Sequence, residues 1–121
     1  MKLLTAISSA DALRPNKATQ KAKAEWMMQL EGEFAEMMGK PVPELEDGTQ
    51  AGTVEDVDLL VPYPYDQAYI LFLAAQIDAR ANHDADLYTA DKQMADDAIS
   101  SAKAWYRRNN RPEDSGQWKG L

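Results

Sequence analysis

Residues 61–82 read VPYPYDQAYILFLAAQIDARAN, and this stretch decides the fold. Two prolines lead into a block that runs from Tyr69 to Ile77 with Gln76 as its one polar interruption. Pro64 suits the first position of a helix, and Asp66 favours the positive end of the helix dipole. The pattern predicts a helix from about Tyr65 or Asp66 to Asn82. A helix that is apolar nearly all round is buried on most sides. This segment is therefore expected to be the central core helix, with the rest of the chain packed around it.

Downstream, NHDAD is a turn, and Asp84 is a suitable N-cap. A long helix follows, from about Ala85 to Asn109. Its expected inner stripe is Leu87, Asp91, Met94, Ala98, Ala102 and Trp105, flanked by Tyr88, Ile99 and Tyr106. The small residues Ala95, Ala98 and Ala102 let a neighbour come close. The short turn makes the third and fourth helices an antiparallel hairpin.

Upstream, Ile7, Ala10 and Leu13 share one face of a short helix over about Thr5–Leu13. Arg14-Pro15-Asn16 ends it, because a proline steers the preceding residue away from helical angles. MKLLTAISSADALRP is read as part of this amphipathic helix rather than as a signal peptide, since Ser8, Ser9 and Asp11 interrupt its apolar patch. A second helix is expected over about Ala18–Met38. Ala22, Trp26, Leu30, Phe34 and Met37 form its stripe. Lys17, Lys21, Lys23, Glu31, Glu33 and Glu36 fall mostly off that stripe. Gly39 suits a C-terminal cap, with Pro41 as the stop.

Residues 39–62 interrupt the helical pattern with prolines, glycines and acids, and are expected to form a long loop. Asp47-Gly48 is a turn signal for a small hairpin, and VEDVDLLV alternates enough for a short strand. From Arg111 the sequence loses all periodicity, so residues 111–121 are expected to form a flexible tail. The expected fold is an all-α bundle of about four helices forming one domain over residues 1–110, with a long central loop.

At 121 residues the chain is long enough for a single core. It has no cysteine, which excludes disulfides and thiolate metal sites. The formal net charge of −7 opposes nonspecific nucleic-acid binding, which draws on lysine and arginine. The charge is uneven. Residues 31–58 hold nine acids and one base, whereas residues 103–119 hold five bases and two acids. No run approaches the roughly 18–20 apolar residues of a membrane span.

Catalytic chemistry is not legible. His83, the one histidine, has no serine or cysteine partner nearby and no ligand spacing around it. The Glu-x-x-His pattern of di-iron bundles is absent. GKPVPELEDG lacks the upstream glycine and the following Ser or Thr of a phosphate loop. Asp78 and Arg80, closing the apolar helix, are placed to pair with the fourth helix or cap its packing. The reading is of a non-enzyme with no catalytic, cofactor-binding or metal residues. WYRRNNRP admits two readings: cations complementing a helix C-terminus, or a contact surface for nucleic acid or an acidic protein. Aromatic and arginine side chains are what interfaces favour. The contact candidates are Tyr63, Tyr65, Trp105, Arg107, Arg108, Arg111 and Trp118.

Taken together, LLVP-x-PYD, Tyr69, AQID, a tyrosine in the next helix, and WYRR with a closing Arg-Pro resemble a group of small proteins from long-tailed bacteriophages and prophages, encoded in the head–tail joining region. ALRPN ahead of the tryptophan-bearing helix belongs to the same pattern. The resemblance covers most of the chain apart from residues 39–56 and the tail after Pro112. The group is similar to head–tail connector, or adaptor, proteins. These are α-helical and assemble as twelve-fold rings beneath the portal. The resemblance implies a virion structural protein of the neck, present in the bacterial host cytoplasm during assembly. Its implied partners are other copies of itself, the portal protein and the next neck or tail component, with DNA passing through the channel and no membrane. A DNA-binding or packaging accessory that uses the basic end of the last helix is the alternative of a different class.

Overall fold

The computed structural model describes residues 1–41 and 56–110. They form four α-helices: α1 (Leu3–Leu13), α2 (Gln20–Met38), α3 (Gln67–Ile77) and α4 (Ala85–Asn109). A single wide π-helical turn, Asp78–Asn82, joins the end of α3 to the loop before α4. The expected small all-α bundle is what forms. The expected hairpin at Asp47-Gly48, Arg111, Trp118 and the expected tail all lie outside the described residues. Among the described residues, no helix is long and apolar enough to cross a membrane.

The apolar block behaves as its composition demands. Ala68, Tyr69, Ile70, Leu73, Ala74, Ala75 and Ile77 of α3 are all buried. Around them gather Leu3, Ala6, Ile7 and Ala10 of α1, and Met27, Leu30 and Phe34 of α2. Every other helix packs on α3, whereas α1 and α4 do not pack on each other. The α3–α4 pairing is the most extensive and is antiparallel. Tyr65 ahead of α3 meets Trp105 near the end of α4, while Asp78 after α3 faces Asp91 near its start.

Small residues make that pairing close: Ala68 and Ala75 on α3, and Ala95 and Ala102 on α4, are buried. Widening Ala102 to leucine forces extra methylenes into a filled seam. Ala102→Leu is expected to cost about 1–3 kcal/mol, read as a lowered urea midpoint; an unchanged midpoint would show a seam with room to spare.

The helix ends follow local chemistry. Thr19 Oγ1 accepts from Ala22 N and caps α2. Gly39 closes it with φ +67°, a left-handed conformation that glycine adopts without cost. Asp84 Oδ1 accepts from Leu87 N and caps α4. The α3 start differs from expectation. Pro62 O accepts from both Tyr65 N and Asp66 N, which folds Pro62–Asp66 into turns and delays the helix to Gln67. Pro64 therefore sits in the turn rather than at the first helical position.

The strand expected within VEDVDLLV reduces to one antiparallel bridge, Lys2 to Asp58. Leu3 N donates to Val57 O and Leu59 N to Met1 O, but the partner segment turns helical at Leu3 and the ladder stops there. Asp56 Oδ1 also accepts from Leu4 N, so this loop segment closes the first turn of α1.

Two inner stripes need correction. On α4, Leu87 and Met94 were expected inside but are 39% and 53% exposed; Asp91, Ala95 and Ala102 are the buried positions. The true stripe is rotated because alanines, not long side chains, face α3. On α2, Lys23 and Glu31 were expected off the stripe but are buried, and each has a polar partner that accounts for it.

Candidate functional site

Two features stand out: an aromatic and basic face at the C-terminal end of α4, and two polar clusters inside the bundle.

The aromatic and basic face gathers several of the sequence-derived contact candidates. Tyr65 and Trp105 stack, with ring centroids 5.3 Å apart and planes inclined by 22°. Trp105 in turn meets Tyr106 edge-on at 6.2 Å. These three rings are half-buried and hold the α4 end against the entrance to α3. Tyr65 and Trp105 were among the contact candidates, Trp105 also on the inner stripe of α4, and each spends a ring face on the other. Tyr63 is different: it stands 82% exposed on the Pro62–Pro64 turn. Arg107 and Arg108, one turn beyond Trp105, are exposed and have no ion pair among the described residues. Lys103 pairs with Glu33 of α2 at 3.7 Å. A cleft of about 330 Å³ runs between Glu33, Glu36 and Met37 of α2 and Lys103 and Arg107 of α4. Basic α4 and acidic α2 thus lie side by side at this end. Positive charge in the last turn also complements the helix dipole, as the first reading of WYRR expects.

The first internal cluster fastens the 56–61 segment. Glu31, on α2, is 0% exposed. Its Oε1 accepts from Tyr69 Oη at 2.6 Å, and its Oε2 accepts from Leu60 N at 2.9 Å. Tyr69 Oη accepts in turn from Val61 N at 2.9 Å. Burial pushes the Glu31 carboxyl above its ordinary range, although the bonds from Tyr69 and Leu60 pull the other way. Burial, and then the Glu31 carboxylate, push the Tyr69 phenol upward. The result is a helix–helix–loop junction in which each polar atom named has a partner.

The second cluster lies at the opposite end of α3. Arg14, just after α1, grips Asp91 of α4 with two parallel bonds, Nε to Oδ2 at 2.8 Å and Nη2 to Oδ1 at 2.9 Å. Its Nη1 donates to Leu13 O. Asp78, 0% exposed, lies with Oδ1 3.4 Å from the same Nε, and neither of its oxygens has a hydrogen-bond donor. Asp78 was expected to pair with the fourth helix or cap its packing; its ion partner is instead Arg14, just after α1, and towards α4 it faces the like-charged Asp91. Arg80 does not join it. Arg80 donates to Gln76 and lies over the Trp26 ring, 5.7 Å from its centroid. Asn82 Nδ2 donates to Pro15 O, drawing the π-turn onto the α1–α2 connection.

Arg14, Glu31 and Asp91 were not among the sequence candidates. Asp91 carried a signal, an acid on an otherwise apolar stripe, which demands a partner. Arg14 carried none, since its Arg-Pro context reads as a helix stop. His83 takes a left-handed conformation, φ 52°, and is exposed. Among the described residues, no group of three or more histidine and acidic side chains is arranged to hold a metal. No protein-family model, curated protein or solved structure matches the chain.

Proposed function

We propose that this chain is a head–tail connector of a tailed bacteriophage or prophage, a structural protein of the virion neck that assembles as a ring under the portal. What supports this reading is the place of the residues that carry the resemblance. ALRPN, LLVPYPYD, AQID and WYRR lie far apart in sequence but meet in pairs. Arg14 of the first faces Asp78 of the third. Val61 of the second bonds to Tyr69, and Tyr65 stacks on Trp105 of the fourth. The residues of the pattern thus make contacts at both ends of α3.

A ring needs two unlike faces that join head to tail and close by rotation. Exposed Arg107 and Arg108 supply one sign, and exposed Asp86, at the opposite end of α4, supplies the other. The net charge of −7 suits a wall past which DNA slides without being held.

Reversing both arginines, Arg107→Glu with Arg108→Glu, is expected to weaken subunit association about tenfold or more, because like charges then face each other. The helical circular dichroism should persist, with the thermal midpoint lowered by only a few degrees because acids at a helix C-terminus oppose its dipole. Complementing a phage that lacks this gene with the variant tests the reading. Tailless heads and loss of the chain from purified particles are expected; normal tailed particles overturn the contact. Absence of the unmodified chain from intact tailed particles that contain the portal would overturn the connector reading itself. Salt-sensitive DNA retention abolished by the same charge reversal would then favour the DNA-packaging accessory.

A further inference from the structure

The first ten residues of α4 are held to the bundle by little. From Ala85 to Met94, only Asp91 is buried, with Tyr88 half-buried and Leu87, Ala90 and Met94 exposed. The α1 and α4 helices do not pack together here, so this half of α4 rests on α3, the π-turn and the grip of Arg14. A segment with so few buried apolar contacts is a natural unit of local opening.

That grip contains an unbalanced charge. One guanidinium serves two buried carboxyl groups, and Asp91 takes both of the donors turned inward. Ionised, Asp78 is a buried acceptor with no donor, a costly state. Protonated, it becomes a donor on the side of Asp91, and the cluster of one cation, one anion and one acid is neutral. Burial first, and then the neighbouring Asp91, push the Asp78 carboxyl up to about 7, against the pull of Arg14. Burial alone would also raise Asp91, but a bond from Asp78 when that carboxyl carries the proton, together with the bonds from Arg14, outweighs that and holds Asp91 below the ordinary range. The groups facing Asp78 are Arg14 from the end of α1, Asp91 from α4 and, more weakly, Asp84 at the α4 cap, with His83 and Tyr88 lining the same cavity. Lys23 of α2 is occupied with Asp11 and Asn16, and Arg80 of the π-turn with Gln76.

We propose that Arg14, Asp78 and Asp91 form a proton-operated latch that holds the N-terminal half of α4 against α1 and α3, and releases it when Asp78 loses its proton. The release is local: α3 and the C-terminal half of α4 keep their apolar seam. The latch stands apart from the connector reading, since it rests only on these contacts.

The sign follows from linkage. A carboxyl whose closed-state affinity for protons exceeds its open-state affinity favours the closed form at low pH. That preference falls as pH rises from the ordinary carboxylate range to about 7, and levels off above it. Hydrogen exchange of the full chain, corrected for intrinsic rates, reads it directly. Protection of residues 85–94 is expected to fall by up to about tenfold per pH unit between pH 5 and 7, the slope of one proton, while α2 protection stays flat. Asp78→Asn keeps a donor toward Asp91 and carries no charge, so its protection should be high and independent of pH. His83→Asn, which suits the left-handed conformation and removes the one histidine of the chain, bordering the same cavity as Asp78, should keep the full pH response. Flat protection in the unmodified chain, an unchanged slope in Asp78→Asn, or a slope abolished in His83→Asn would each overturn the latch. Should Asp78→Asn not fold, a carbon-13 carboxyl titration of the unmodified chain decides: a midpoint near 7 upholds the proposal, and ordinary aspartate midpoints throughout overturn it.

Discussion

Replacing Arg14 by alanine is expected to lower the unfolding free energy by about 3–5 kcal/mol at neutral pH, the usual consequence of removing one partner from a buried ion cluster. The magnitude comes from what is left behind. Asp78 and Asp91 are both buried, and Arg14 is the cation beside them. Without it, both carboxyl groups prefer to be protonated, so the variant binds protons more tightly in its folded state than the unmodified chain does. Its deficit should therefore be smaller at pH 5 than at pH 8. Adding Asp91→Asn to Arg14→Ala should recover part of the loss by removing one stranded charge. Arg14→Lys should fall between, since an ammonium keeps the charge but cannot make two parallel bonds. Urea unfolding followed by tryptophan fluorescence at the two pH values measures all four. A loss below about 1 kcal/mol, or one that does not grow with pH, would mean that water already reaches the cluster.

These residues also show where a sequence stops being legible. The apolar block announced α3 as the centre because apolarity on all sides has only one stable location. Thr19, Gly39 and Asp84 announced helix ends because capping is local chemistry within one turn. The aromatic and basic end of α4 was legible as a composition. Whether Trp105 faces outward or onto Tyr65 was not, because that depends on a turn forty residues earlier in the chain. The inner stripe of α4 was misjudged for a related reason. Leucine and methionine usually point inward, but here a close α3–α4 approach selects alanine, and Leu87 and Met94 are turned to the rim. Arg14 with Asp91, and Glu31 with Tyr69, span large sequence separations, and no periodicity connects them. A charged residue on a buried stripe signals that a partner exists; only the fold names it. The candidate interface was thus partly legible, while the two polar junctions that position it were not.

Tyr69→Phe isolates the second junction. The substitution keeps the ring and its edge-on contact with Phe34, at 5.5 Å and 81°, and removes only the hydroxyl. Two buried groups then lose their partners together: Val61 N, which has donated to Tyr69 Oη, and Glu31 Oε1, which has accepted from it. A hydrogen bond to a charged acceptor contributes about 1.5–3 kcal/mol, and a stranded buried group costs as much again as its lost hydration. The expected loss is about 2–4 kcal/mol, large for one oxygen atom. Glu31→Ala should cost at least as much, because it also strands Leu60 N. The double variant should be less destabilised than the sum of the two, since the same bond cannot be lost twice. The pH dependence follows from the carboxyl. Burial already raises Glu31 above its ordinary range, and losing the tyrosine donor raises it further. Tyr69→Phe should therefore lose more stability, relative to the unmodified chain, as pH rises through that raised value. The effect should also be directional in space. Amide exchange at Leu60 and Val61 should accelerate more than at Leu30 or Leu73, because the bonds removed are those that pin the 56–61 segment to α2 and α3. Equal acceleration throughout would mean that the junction contributes only to global stability. A loss under about 0.5 kcal/mol, the level of an ordinary surface substitution, would mean that the hydroxyl holds nothing in place.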